Sequence, residues 1–253
     1  MPSKYTYPDS EVLRNKFGLQ DAQEAHVMET RLAYVRAAEL VQNPVQGNYD
    51  LKHLICSMST AGCSRTCTTG PGSSATCRRT RRPPQLVHCL PEHLEEQSRF
   101  VFRQLQRDDL LRGMRDEQFN DRLAYHWGEL TALHPSLNGN TRSQRVFVDQ
   151  LTQQAGRSID WAAVNQNAQA FKTARLRAHA GDHLPLRDQV AQVVRPGGRT
   201  TTGVELAGPS VDPKVAEAAL SGLAAPGATT TQSGTTTKEN PTKPRTRGGQ
   251  ELG

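Results

Sequence analysis

The spacing of apolar positions along the chain predicts a series of amphipathic helices. In the first long helix, Asp21 is placed to cap the start and Asn43-Pro44 ends it. Its apolar positions keep close to the 3.6-residue period: Ala25, Met28, Leu32, Val35 and Leu40. A shorter helix is expected before it, from Ser10 to Gly18, because glycine tolerates the left-handed conformation that ends a helix.

Helical periodicity returns after Pro91 and continues to about Gly181. The apolar positions of two helices that lead the chain to His134 are Leu94, Phe100, Val101 and Leu105, then Phe119, Leu123, Trp127 and Leu130. Another helix begins beyond Asn138-Gly139 and runs to Gly156. A last one, capped by Asp160, bears Trp161, Val164, Ala168, Phe171 and Ala174. The pattern predicts an all-α bundle.

Two regions break this pattern. Residues 55–89 contain all five cysteines, are crowded with Ser, Thr, Gly and Arg, and lack Phe, Trp and Tyr. Residues 196–253 are dominated by Gly, Thr, Pro and Ala, which predicts a disordered tail with at most a brief helix over Lys214 to Leu223. We therefore expect one domain over residues 1–195, in which 55–89 is aberrant and unstructured.

Composition narrows the function classes only slightly. The 253 residues, 35% of them hydrophobic, can support one domain of ordinary size. A net charge of +6 and a pI near 9.2 permit nucleotide, nucleic acid or anionic membrane as partners. No apolar run approaches the roughly 20 residues that span a bilayer, and no signal peptide is visible, so we expect a cytoplasmic protein without a membrane partner.

The chemistry of the chain is concentrated in a motif segment, residues 134–145, with the sequence HPSLNGNTRSQR. It is expected to be a loop that becomes a helix, whose unpaired N–H groups at Asn140, Thr141 and Arg142 would face an anion. Arg142 and Arg145 add two forked cations suited to phosphate oxygens. His134 is the nearby side chain that can take a proton at neutral pH.

This segment resembles the active-site motif of the Fic family, HxFx(D/E)GNGRxxR, at His134, Gly139, Asn140, Arg142 and Arg145. The run from Tyr7 to Leu40 is also similar to the opening of Fic domains of the bacterial effector and toxin type. The resemblance implies an all-helical core and transfer of AMP from ATP to a hydroxyl of a target protein. It implies His134 as general base, Gly139 and Asn140 as phosphate ligands, and both arginines on the β and γ phosphates.

Three positions depart from the family motif: Ser136 replaces a Phe, Asn138 a carboxylate, and Thr141 a second Gly. The carboxylate matters most, because Mg²⁺ is usually held by one or two carboxylates together with the substrate phosphates. Asn138 offers only a neutral carbonyl, so we expect weaker ATP-Mg binding at residues 138–142 and 145. The departures predict a weakened or inactive enzyme.

Inhibition and regulation leave a weaker trace. Thr235 to Asn240 formally matches the inhibitory pattern (S/T)xxxE(G/N), but it lies in a threonine run just before Pro241, where helix is disfavoured, so we interpret it as accidental. The resemblance leaves open a separate small antitoxin-like partner, as in a toxin–antitoxin pair.

Fic domains carry an apolar helix and a β-hairpin flap where this chain has residues 55–89, and neither is visible in the sequence. Read one base out of register, however, codons for Ser59 to Cys77 permit HRWLFQDVYDWAGQLRDV, which resembles the missing family segment. We infer two compensating frame slips, one near Ile55 and one before Val87, in the gene or in its sequencing.

Other interpretations of the same residues stay open. Cys63 and Cys67 fit half of a zinc site, but Cys77 and Cys89 do not complete the spacing. The basic run from Arg78 to Arg82 could touch nucleic acid, although no aromatic residue interleaves it for base stacking. The alternatives to an enzyme are thus a non-catalytic Fic-like scaffold or toxin remnant, and a basic nucleic-acid-binding protein.

The frame-slip hypothesis makes a prediction about stability. Losing several buried aromatic side chains, each worth about 1.5–3 kcal/mol, consumes much of a total margin of about 5–15 kcal/mol. We expect a broad thermal unfolding transition for the chain as written and a cooperative one once the shifted-frame segment is restored, as measured by circular dichroism. An equally sharp transition for both chains, or codons that do not spell the segment, would refute the hypothesis.

Overall fold

The computed structural model describes residues 6–15, 17–45, 48–56, 88–136 and 139–197. These form a helical bundle with one small antiparallel strand pair, as the apolar pattern predicts. The helices are α1 Ala22–Gln42, α2 Leu51–Cys56, α3 Leu94–Arg107, α4 Asp116–Leu133, α5 Asn140–Gln154, α6 Trp161–Gln166, α7 Ala168–His179 and α8 Leu184–Val193. Short 3-10 turns cover Pro91–His93 and Asp109–Leu111.

Helix α5 lies at the centre of the bundle. Every residue from Ser143 to Thr152 is buried, polar ones included, and Val146, Phe147, Val148 and Leu151 have no exposed surface. Neighbouring helices α1, α2 and α4 pack around it, and strand β1 follows it. Because α5 begins at the motif segment, the core holds the start of the predicted site in a fixed position.

Helices α4 and α7 approach each other closely at Gly128. A Cβ placed at this glycine would lie 2.9 Å from the Cβ of Ala178 and 3.0 Å from its carbonyl carbon. Such distances are shorter than van der Waals contact, so glycine is the residue that permits the approach. The close packing brings the C-terminal half of α7 beside the last turns of α4, which lead to His134.

A short strand pair closes the domain. Strand β1, Arg157–Ile159, pairs antiparallel with β2, Val194–Pro196, with Ser158 opposite Arg195. The N–H of Gly197 donates to the carbonyl of Gly156 at 3.0 Å and extends the pairing. Neither this pair nor helix α8 was predicted, because three-residue strands and a helix that starts at Leu184-Pro185 are too short to give a clear periodicity.

The helix predicted from Ser10 to Gly18 is wrong for the described residues of that stretch. Thr6 and Leu13 instead form an isolated antiparallel bridge. The side chain of Asn15 accepts hydrogen bonds from the N–H groups of Phe17 and Leu19 and donates to the carbonyls of Leu13 and Leu19. Such local bonds of Asn compete with the helical backbone ladder, which explains the turn.

The Asp21 cap is confirmed, since its carboxylate accepts from Gln23 N at 3.0 Å and Glu24 N at 2.8 Å. The helix expected from Asp160 to Gly181 is two helices. Asn167, with φ −107° and ψ 29°, separates α6 from α7. Asp160 nevertheless caps α6 by accepting from Ala163 N.

On α3 the predicted buried face was slightly misplaced. Phe100 is 46% exposed, whereas Phe102 is buried. Leu94, Val101 and Leu105 define the buried face, and Phe102 extends that face while Phe100 lies on the opposite side of the helix.

Several predictions concern residues outside the described ranges. They are the aberrant segment and its frame slips, the arginines from Arg78 to Arg82, the half zinc site at Cys63 and Cys67, and the tail beyond residue 197. Within the described ranges, no helix is both long and apolar enough to span a bilayer.

The close approach at Gly128 predicts a measurable cost for Gly128→Ala. The added methyl would overlap Ala178, and overpacking of this kind lowers the free energy of unfolding by about 1–3 kcal/mol. Gln118→Ala on the exposed face of the same helix is the control, with an expected change within about 0.5 kcal/mol. Urea unfolding of both variants tests this; equal stability would show that α4 and α7 can separate without cost.

Candidate functional site

The loop between α4 and α5 is held in shape by its own backbone. His134 ends α4 with left-handed backbone angles, φ 41° and ψ 57°, and Gly139 begins α5 with φ 84°. The Asn140 side chain accepts from Ser136 N at 2.9 Å and donates to Ser136 O, so it closes the loop. Asn140 therefore shapes the turn, the same turn at which the sequence predicts a phosphate ligand.

The first turn of α5 presents the features of an anion site. Thr141 is exposed, and the first N–H groups of any helix lack partners within that helix. The partial positive charge of the helix start favours an anion there. Gly139 is needed for its backbone angle, because a Cβ would meet only the Arg142 guanidinium at 3.7 Å.

The guanidinium of Arg142 is held by an acidic residue of α1. Its Nη2 lies 2.7 Å from Oε1 of Glu29, and both side chains are 23% exposed. The pair joins α1 to the start of α5. An anion that approaches Arg142 must therefore share this guanidinium with Glu29 or displace the carboxylate.

Arg145 is directed into the protein interior. It is 6% exposed, its guanidinium lies over the Trp161 ring at 4.2 Å, and its Nη2 donates to Asn165 at 2.8 Å. Burial lowers the pKa of Arg145 to about 9; the neighbouring Arg175 adds to this shift and Asp149 opposes it. The two motif arginines, expected on one helix face, thus have different surroundings.

His134 lies in a stack of three imidazole rings. Its ring centroid is 3.8 Å from that of His88, with 24° between the planes, and His88 lies 4.8 Å from His179. Burial, followed by the charges of His88, His179 and Arg175, lowers the pKa of His134 to about 4. The imidazole is therefore unprotonated at neutral pH, the form that a proton acceptor requires.

Arg175 on α7 completes a cationic cluster with Arg145, His134, His88 and His179. Its Nη1 donates to Oε1 of Gln144 at 3.2 Å, and burial lowers its pKa. The charges that act on His134 are all cationic. Such a cluster favours an anionic ligand.

Sequence reasoning missed His88, Arg175 and His179. They are 46, 41 and 45 residues from His134, so no local spacing signals them. Only the packing of α7 against α4 brings them together. The motif itself could indicate only residues near 134–145.

The donor set does not suit a hard divalent cation as readily as it suits an anion. Asn138 lies outside the described ranges, and the carboxylate of Glu29 is engaged by Arg142. Among the described residues, no group of three or more His, Cys, Asp and Glu side chains has a geometry for holding a metal ion. We therefore derive no step that depends on bound metal.

Comparison with known proteins gives consistent relatives, although no family model matches the chain. The chain is 30% identical over 186 residues to the protein adenylyltransferase VbhT of Bartonella schoenbuchensis. The match covers 70% of this chain but only 36% of VbhT, so the chain spans about a third of that relative. It is 28% identical over 197 residues to the probable protein adenylyltransferase y4lH of Sinorhizobium fredii, covering 74% of this chain and 94% of the relative.

Solved structures show the same fold. The BepC effector protein of Bartonella tribocorum, crystallised with bound AMPPNP, superimposes with a TM-score of 0.65 at 19% identity. The match covers 77% of this chain and 97% of the BepC chain. At this identity, the likeness establishes the fold alone.

The Glu29–Arg142 pair leads to a prediction about anion affinity. Replacing the carboxylate in Glu29→Gln removes a charge that competes for Arg142. An ion pair of this exposure is worth about 1 kcal/mol, so we expect pyrophosphate to bind about fivefold more tightly, as measured by calorimetry.

Glu39→Gln serves as the matched control, because Glu39 pairs with Arg36 on the same helix at 3.0 Å and is 56% exposed. Its affinity for pyrophosphate should equal that of the unmodified chain. Equal affinities for all three proteins would mean that Arg142 does not contact the anion.

Proposed function

Because the chain contains a Fic domain, we propose that it is a protein adenylyltransferase that moves AMP from ATP to a hydroxyl of a target protein. The carrying observation is an unprotonated His134 next to a loop that leads into the N-terminus of a helix, surrounded by cationic side chains. The relatives named above support the class of reaction. They do not identify the target.

The substrate ATP would bind with its phosphates at the start of α5. Backbone N–H groups of the first turn, with Gly139 in its left-handed conformation, would receive phosphate oxygens. Arg142 would turn from Glu29 to the β and γ phosphates, while Arg145 and Arg175 supply positive charge from the interior. Asn140 would act mainly by holding the loop to Ser136.

The transfer itself requires one proton acceptor and one anion site. His134 accepts the proton of a target Ser, Thr or Tyr hydroxyl, whose oxygen forms a bond to the α-phosphorus. The bond between that phosphorus and the bridging oxygen breaks, and pyrophosphate leaves. Positioning and charge stabilisation dominate such a step, which suits a site made of fixed cations.

We further propose that the activity is weak. Imidazole with a pKa of about 4 is a weaker base than one near neutrality. The Glu29 carboxylate competes with phosphate, and Asn138 lacks the charge that usually holds magnesium. Each of these features lowers the expected rate without altering the fold.

The same three features favour a second candidate function, a non-catalytic scaffold of Fic type. In that role the chain would bind a nucleotide or a partner protein, such as a small antitoxin-like inhibitor, without transferring AMP. A cytoplasmic setting, where ATP is present, suits either function. Transfer of label separates the two.

We expect the purified chain to label a lysate protein when it is incubated with ATP radioactive at the α-phosphate and with Mg²⁺ or Mn²⁺. ATP labelled at the γ-phosphate should give no such band, because the β and γ phosphates leave together. His134→Ala should lower the labelling rate at least 100-fold by removing the general base, whose usual contribution is about 10²–10⁴-fold.

The control is His26→Ala, since His26 is an exposed residue of α1 and should leave labelling unchanged. Binding of the nucleotide without any transfer of label would support the scaffold. Equal labelling by both variants would remove His134 from the mechanism.

A further inference from the structure

His88 is anchored at the end of α4 rather than being a loose neighbour of His134. Its ring nitrogen Nδ1 lies 3.1 Å from the Thr131 carbonyl, and Cys89 N donates to Ala132 O at 2.8 Å. Both carbonyls belong to the last turn of α4, where backbone oxygens have no partner within the helix. Residues 88 and 89 therefore complete the hydrogen bonding of this helix end.

The ring of His134 is oriented by stacking. Its Nδ1 is buried and makes no hydrogen bond to any described residue. In the usual arrangement, a general base has its second ring nitrogen bonded to a carboxylate or carbonyl, which fixes the plane of the ring. Here the fixed partner is the face of His88, at 3.8 Å and 24°.

Such a stack can do what the missing hydrogen bond does elsewhere. Two planar rings in contact resist rotation of either ring out of the common plane, and His88 cannot tilt freely while Nδ1 is bonded to Thr131. The left-handed backbone of His134 limits its freedom further. Nε2 then remains as the nitrogen that can meet a hydroxyl.

We propose that His88 is a positioning residue of the AMP transfer, whose stacked ring fixes the plane in which the His134 imidazole accepts the target proton. This inference rests on the proposed function for its role, but its geometry does not. Displacing a reacting group by about 1 Å can cost about 100-fold in rate, so an unsupported imidazole would slow the step while leaving nucleotide binding intact.

Two contacts of His88 can be separated by substitution. His88→Phe keeps an aromatic face against His134 and loses the bond to Thr131. His88→Asn loses the ring and retains a side-chain N–H placed like Nδ1. We expect His88→Asn to lower kcat at least tenfold with KM for ATP unchanged, and His88→Phe to restore kcat to within about threefold of the unmodified chain.

A second readout needs no activity. Burial by His88 and the charge of His88 both lower the pKa of His134, so removing the ring should raise that pKa from about 4 towards the ordinary value. Histidine Cε1–Hε1 NMR titration of the full chain, with His134→Ala for assignment, follows this directly. His179 and Arg175 keep acting on His134 in each variant, so the shift reports the loss of His88 alone. His26→Asn, at an exposed position, is the control.

The outcomes separate the two proposals. A raised His134 pKa together with a lower kcat in His88→Asn, and recovery in His88→Phe, supports positioning. Unchanged titration and unchanged kcat in His88→Asn would overturn it, as would full activity in His88→Asn with loss in His88→Phe. If the unmodified chain transfers no AMP while the titration of His134 still shifts, the transferase proposal fails and the control of the imidazole by His88 stands.

Discussion

The complete burial of α5 is the constraint on which the rest of the structure depends. A helix without an exposed face must satisfy each of its polar side chains inside the protein, because an unpaired buried polar group costs free energy. Gln144 bonds to Thr131 and to the Leu130 carbonyl of α4, and Asp149 accepts from Trp161 Nε1 at 2.7 Å. Gln150 accepts from, or donates to, His53 of α2 at 2.9 Å. These bonds fix the neighbouring helices around α5 and thereby the loop at its start.

The electrostatics of the site follow from the same packing. Arg145 must be buried because α5 is buried, and the contact of α4 with α7 places Arg175 and His179 nearby. The imidazole of His134 is consequently surrounded by positive charge. An anionic ligand would relieve this accumulation of charge, so the fold that depresses the pKa of the base also favours a polyphosphate beside it.

The sequence allowed the helical architecture to be predicted, because α1, α4 and α5 have long amphipathic patterns and clear caps. Local side-chain bonding explains the errors: Asn15 prevented a helix before Gly18, and Asn167 divided one helix into two. The motif indicated where the site lies. It could not show that Glu29 holds Arg142, or that His88 stacks on His134, since both contacts join residues that are 46 or more positions apart.

The strand pair determines where the chain leaves the domain. Because β1 follows the C-terminal end of α5 and Gly197 bonds to Gly156, residue 197 lies at the end of α5 remote from Gly139. Fifteen helical residues at 1.5 Å each separate the two ends by about 22 Å. An affinity handle, a fluorophore or a fused carrier joined after residue 197 is thus attached far from the mouth of the site, which makes this junction the natural point for immobilising the protein in a binding assay.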